Sequence, residues 1–130
     1  MTKAAGNLYP GKNNRKTGAD WEALAADYLT ERGMRILERN FRCRLGEIDL
    51  IGNHEGYVVF VEVKYRSTGN KGYAAEAVNY RKQRKICRVA DFYRYIHGMG
   101  AQTGVRYDVV AIQGGEVQWL QNAFPHISAK

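Results

Sequence analysis

Glu62 and Lys64 interrupt the most apolar run of the chain, Val58-Val59-Phe60-Val61-Glu62-Val63-Lys64. In an extended strand, residues i and i+2 share a face. A carboxylate and an ammonium group therefore leave one face together, from a segment whose two-sided apolar character predicts a central strand covered on both sides. Charged side chains in such a place are paired or bound to metal. No other acidic-x-Lys triplet occurs in the chain.

The preceding run repeats the arrangement. Glu47 and Asp49 share a face ahead of Leu50 and Ile51, and the short loop Gly52-Asn53-His54-Glu55-Gly56 makes the two runs a hairpin. Pairing about that loop places Asp49 opposite Val59 to Glu62. Two carboxylates so close repel unless a cation joins them. Hard oxygen ligands with open positions suit Mg²⁺ or Mn²⁺. Asp49 and Glu62 are the predicted metal ligands, with Lys64 beside them to orient a water and to balance charge on a phosphoryl transition state. The competing account is a solvent-exposed Glu62–Lys64 ion pair on an edge strand, which contributes little. Asp49, the two-sided apolar strand and the basic charge favour the site.

Other residues attach to this centre. Glu22 neighbours the apolar stripe of the first helix and is either an additional catalytic carboxylate or a solvated one. Lys82 lies on the apolar stripe of the second helix, where it either snorkels outward or points at acid or phosphate. Two basic stretches are candidate phosphate contacts. One holds Arg35, Arg39, Arg42 and Arg44; the other holds Lys71, Arg81, Arg84, Lys85, Arg88 and Arg94. From these and their surroundings Arg42, Arg44, Arg66, Lys82 and Lys85 are nominated for nucleic acid. Arg106 and Asp108 share a face further on; a structural ion pair is favoured, the alternative being that Asp108 supports Lys82 or Arg42.

The elements that must position these groups follow from periodicity. Trp21, Leu24, Ala25, Tyr28 and Leu29 mark one face of a helix over about 19–32, capped by Thr17 or Asp20 and stopped by Gly33. Strands follow at 34–43, 47–51 and 57–65. A second helix over about 74–97 carries Val78, Ile86, Val89, Ala90, Tyr93 and Ile96 or His97 as its stripe. Strands at 105–112 and 117–120 flank a Gly114-Gly115 turn. The order is α-β-β-β-α-β-β. Residues 1–17 read as a disordered basic arm, 18–122 as the domain and 123–130 as a tail.

Composition narrows the partners. The chain has 130 residues, enough for one domain, and a formal net charge of +7, which points to a polyanion. The two cysteines are distant and form no metal motif, so free thiols in a reducing compartment are expected. No apolar run approaches a membrane span and residues 1–16 lack a signal-peptide core, so a cytoplasmic protein without membrane contact is expected. No nucleophile elbow, P-loop or dinucleotide fingerprint is present.

Asn40-Phe41-Arg42-Cys43-Arg44, Gly46-Glu47-Ile48-Asp49-Leu50-Ile51, Val59 to Arg66, Val78 with Lys82, and Arg106-Tyr107-Asp108-Val109-Val110 together closely resemble the YraN family of uncharacterised bacterial proteins, over residues 18–122. That resemblance implies a restriction-endonuclease-like, three-layer α/β fold: a mixed central sheet flanked by helices, close to archaeal Holliday-junction resolvases. It matches Asp49, Glu62 and Lys64 to the Asp and Glu-x-Lys signature of that superfamily and Glu22 to a helix carboxylate, with Trp21-Glu22 where the family has Gly-Glu. The Asp49, Glu62 and Lys64 constellation on a basic chain points to a Mg²⁺-dependent endonuclease hydrolysing phosphodiester bonds, with DNA ahead of RNA and branched or junction DNA included, and the resolvase resemblance favours a homodimer. The alternatives are a non-catalytic or weakly catalytic nucleic-acid binder on the same scaffold, and a basic protein-interaction subunit.

Overall fold

The computed structural model describes residues 16–66 and 78–129. The elements are α1 (Gly18–Glu31), β1 (Arg35–Cys43), β2 (Gly46–His54), β3 (Tyr57–Arg66), α2 (Tyr80–Ile96), β4 (Val105–Gln113) and β5 (Glu116–Leu120), in the expected order. The five strands form one sheet in sequence order, antiparallel except for the parallel pair β3–β4 that α2 connects. β3 is therefore the central strand.

Each face of the sheet carries one helix. On one side Trp21, Ala25, Ala26 and Leu29 of α1 pack with Leu50, Val59, Val61, Val110 and Ile112. On the other, Ile86, Cys87, Val89, Ala90 and Tyr93 of α2 pack with Ile48, Ile51, Phe60, Tyr107 and Val109. The three-layer mixed α/β fold is as expected. Alternate residues of β3 feed opposite cores, which is why its apolar run has no polar face until Glu62.

Local chemistry explains the boundaries. Thr17 caps α1 reciprocally with Asp20, and Gly33 follows the helix at φ 103°. The predicted loop 52–56 is shorter: Gly52, Asn53 and His54 continue β2, and Glu55-Gly56 alone turns, both at positive φ. Gly52 pairs on both sides within the sheet, and only glycine fits there because a Cβ would lie 2.8 Å from the Arg35 carbonyl oxygen and from Met34. The second helix starts at Tyr80 rather than near 74, since Val78 and Asn79 precede it and the Asn79 side chain caps it through Lys82 N. Residues 74–77, Lys71 and the first fifteen residues lie outside the described part. After β5 the chain docks beside α2: Phe124 is buried, Ala123 N–H donates to the Tyr107 carbonyl, and Ile127 N–H meets Cys87 Sγ.

Candidate active site

The β2–β3 ladder runs from His54↔Tyr57 to Leu50↔Val61 and goes no further. There the Asp49 carboxylate, through Oδ2, accepts the Val63 backbone N–H at 2.8 Å. A side chain thus occupies the position a backbone carbonyl would fill, and the strands part. Across β2, Asn40 of β1 has φ 53° between the pairs Arg39↔Leu50 and Phe41↔Ile48. Asn is among the few residues that accept this left-handed backbone. The two irregularities adjoin and open the sheet beneath α1.

Glu22 descends from α1 into this opening. The Asn40 side chain favours its ionised form and the neighbouring Asp49 opposes it. Carboxylate oxygens of Glu22, Glu47 and Asp49 lie within 4.8 Å of one another. Burial, and then the Asp49 charge, hold the Glu22 carboxyl above its usual range. Burial also raises Asp49, against the opposing pull of the Val63 N–H. Three acids at this spacing are stable only with a proton or a cation among them. The donor set is all hard oxygen, partly fixed by hydrogen bonds and open on one side, so it fits Mg²⁺ or Mn²⁺.

Glu62 and Lys64 alternate with Val61 and Val63 and share the α2 side of β3 with Phe60. Glu62 is 6% exposed, and Lys82 Nζ approaches its Oε2 to 3.4 Å. Burial, followed by the Asp49 charge, pushes the Glu62 carboxyl up to about 7, against the favourable charges of Lys82 and Lys64. Lys82 thus reaches the acid while its side chain stays 44% exposed. Glu62 lies in the field of Asp49 yet outside the three-carboxylate group, whose third member is Glu47. Sequence reasoning nominated neither Glu47 nor Asn40. The signal for Glu47 was its i−2 relation to Asp49; Asn40 was visible only as part of a family motif.

The basic candidates divide. Arg42 lies 3.5 Å from Glu47 and is largely exposed. Arg44 and Lys85 are exposed, and the Lys85 stem crosses Gly46, where a Cβ would come within 3.3 Å of it. Arg66 is half-buried at the end of β3. Arg88 and Arg94 pair instead with Asp91, at 3.1 and 3.8 Å. Asp108 supports neither Lys82 nor Arg42: it takes two hydrogen bonds from Arg106, one from the Trp119 indole and one from Asn122 N–H. The favoured reading of that pair, structural, holds. None of the described helices is long and apolar enough to cross a membrane.

A UPF0102 protein from Lachnoclostridium phytofermentans is 45% identical over 112 residues, 86% of this chain and 95% of its own length. One from Photobacterium profundum is 45% identical over 113 residues, 85% of this chain and 90% of its own. Among solved structures, a repair endonuclease from Pyrococcus abyssi overlaps 79% of this chain with TM-score 0.46 and 19% identity, and this chain spans 41% of that one. The model of the uncharacterised protein family UPF0102 matches residues 21–112, which include all four candidate catalytic residues, and the chain belongs to that family.

Proposed function

We propose that the protein is a divalent-metal-dependent nuclease that hydrolyses phosphodiester bonds, with DNA as the preferred substrate. The observation that carries this reading is the convergence of Glu22, Glu47 and Asp49 within 4.8 Å, at the parting of two strands, with Lys64 one residue beyond the amide that fixes Asp49. The net charge of +7 supports a polyanionic substrate.

In this scheme Glu22, Glu47 and Asp49 would hold the metal, and Asn40 favours the ionised form of Glu22. Bound there, Mg²⁺ or Mn²⁺ would supply Lewis-acid stabilisation of a phosphoryl oxygen and acidify water. Lys64 orients the attacking water and balances the charge that grows on the phosphoryl group. Glu62, held by Lys82, positions Lys64. The water oxygen bonds to phosphorus as the bond to one sugar oxygen breaks; the departing sugar oxygen takes a proton from solvent, and the attacking water gives one up to solvent. Arg42, Arg44, Arg66 and Lys85 neutralise flanking phosphates.

Incubation with duplex, single-stranded and branched DNA plus Mg²⁺ or Mn²⁺ tests the scheme. Cleavage is expected, reduced by roughly 10²–10³-fold in Lys64→Ala, the scale of losing one preorganised electrostatic group, and abolished in Asp49→Asn. Undiminished cleavage by either variant refutes the assignment. The Lys82–Glu62 contact favours a second reading, since it occupies one predicted metal ligand with an ammonium. That reading is a non-catalytic nucleic-acid binder, with salt-sensitive affinity and no turnover in any metal.

A further inference from the structure

Tyr65 follows Lys64 on β3 and is 43% exposed. Its ring lies 4.0 Å from that of Trp21, with 12° between their planes. Trp21 is itself 7% exposed and belongs to the core beneath α1. One face of Tyr65 is therefore covered by a fixed indole, and its exposure resides on the opposite face and edge. A surface aromatic ring held parallel to a buried one is oriented before any ligand arrives.

The position joins this ring to the acidic centre. Trp21 immediately precedes Glu22. Tyr65 stands two residues, roughly 7 Å along a strand, beyond Val63, whose N–H holds Asp49. One cation lies on the same side of the sheet: Lys16 Nζ is 5.8 Å from the centre of the Trp21 ring against which Tyr65 stacks. Tyr65 and Arg66 pair with Ile112 and Gln113 of β4. Both of those partners, with Arg66 and Gln118, border an open recess of about 350 Å³. A flat, exposed π-face on a basic chain is the chemistry that receives a base whose phosphates run past it. In a duplex, both faces of a base are already stacked, so a platform of this kind takes only an unpaired one.

We propose that Tyr65 is a stacking platform for an unpaired nucleobase beside the acidic centre, which makes the substrate class nucleic acid with single-stranded character at that point. The proposal rests on the nucleic-acid reading above and specifies its substrate. A tyrosine that merely closes the core over Trp21 would be replaceable by any apolar side chain; a platform needs an aromatic ring. Stacking on one aromatic side chain is worth roughly five- to a hundredfold in affinity.

The test compares a blunt DNA duplex with the same duplex carrying a single-stranded overhang that contains the fluorescent base analogue aminopurine, titrated with wild-type protein, Tyr65→Phe and Tyr65→Leu. Wild type is expected to bind the overhang roughly tenfold more tightly than the blunt duplex and to quench the aminopurine. Tyr65→Phe retains both effects. Tyr65→Leu, which still covers Trp21, brings the affinity ratio towards one and loses the quench. Equal affinity of wild type for the two probes, or a preference that persists in Tyr65→Leu, overturns the platform while leaving the nuclease reading standing. Failure to bind either probe overturns both.

Discussion

β3 and β4 lie side by side, and each carries two charged side chains at i and i+2 in an apolar run: Glu62 with Lys64, and Arg106 with Asp108. Their fates are opposite. Asp108 is fully buried and saturated: Arg106 donates to both its oxygens at 3.0 and 2.9 Å, and Trp119 and Asn122 supply the rest. The Arg106 guanidinium also meets His54 Nδ1 at 2.9 Å. Around β2 and β3, by contrast, Glu22, Glu47 and Asp49 crowd together, the Asp49 charge also acts on Glu62, and Glu22, Asp49 and Glu62 are all held above the usual carboxylate range. A buried charge that the fold has matched is architecture. A group of like charges that the fold keeps close and leaves unbalanced is a place for a ligand.

The sharpest break of this contrast is Asp108→Ala. It strands a buried guanidinium, and the expected cost is about 3–5 kcal/mol of unfolding free energy, measured by urea denaturation. Asp49→Asn in metal-free protein should cost nothing or stabilise, because it removes one of the crowded charges. Equal losses in the two variants would erase the distinction.

The second effect concerns pH. Glu62 is raised from 4.5 to about 7, so the folded chain holds this proton more tightly than the unfolded one. Stability from this source is complete below 4.5 and is lost as pH climbs through 7. The loss in metal-free protein should be on the order of 3 kcal/mol. Thermal melts across that window should show it, and Glu62→Gln should flatten the profile. A wild-type profile as flat as that of the variant would mean that Glu62 is not strained.

The smallest effect is expected at the rim. Arg42→Ala removes an exposed pair with Glu47 and should change stability by less than about 1 kcal/mol. If Arg42 contacts a phosphate, the slope of log affinity against log salt should fall by about one. A loss of stability with no change of slope would assign Arg42 to the fold instead.

Much of the centre was legible beforehand. The apolar run of β3 marked it as central, and short-range hairpin pairing brought Asp49 towards it. Lys82, alone among apolar residues of its stripe, left snorkelling and an acidic partner as alternatives, and its contact with Glu62 came from the structure. Long-range and irregular features were not legible. Glu47 replaced Glu62 in the carboxylate group because the ladder stops at Leu50↔Val61 and the strands separate. The left-handed Asn40 and the Trp21–Tyr65 stack join residues distant in sequence. The docking of Phe124 against Tyr107 has no periodic signal, since the segment that carries it belongs to no regular element.

By itself, the sequence determined the element order, the covered central strand and the set of charged residues from which a site could be drawn, because apolar periodicity and turn chemistry act locally. Only the tertiary structure decided which charges are satisfied. Glu62-x-Lys64 and Arg106-x-Asp108 share one spacing, and what separates them is the number of donors and opposing charges that other elements bring within reach.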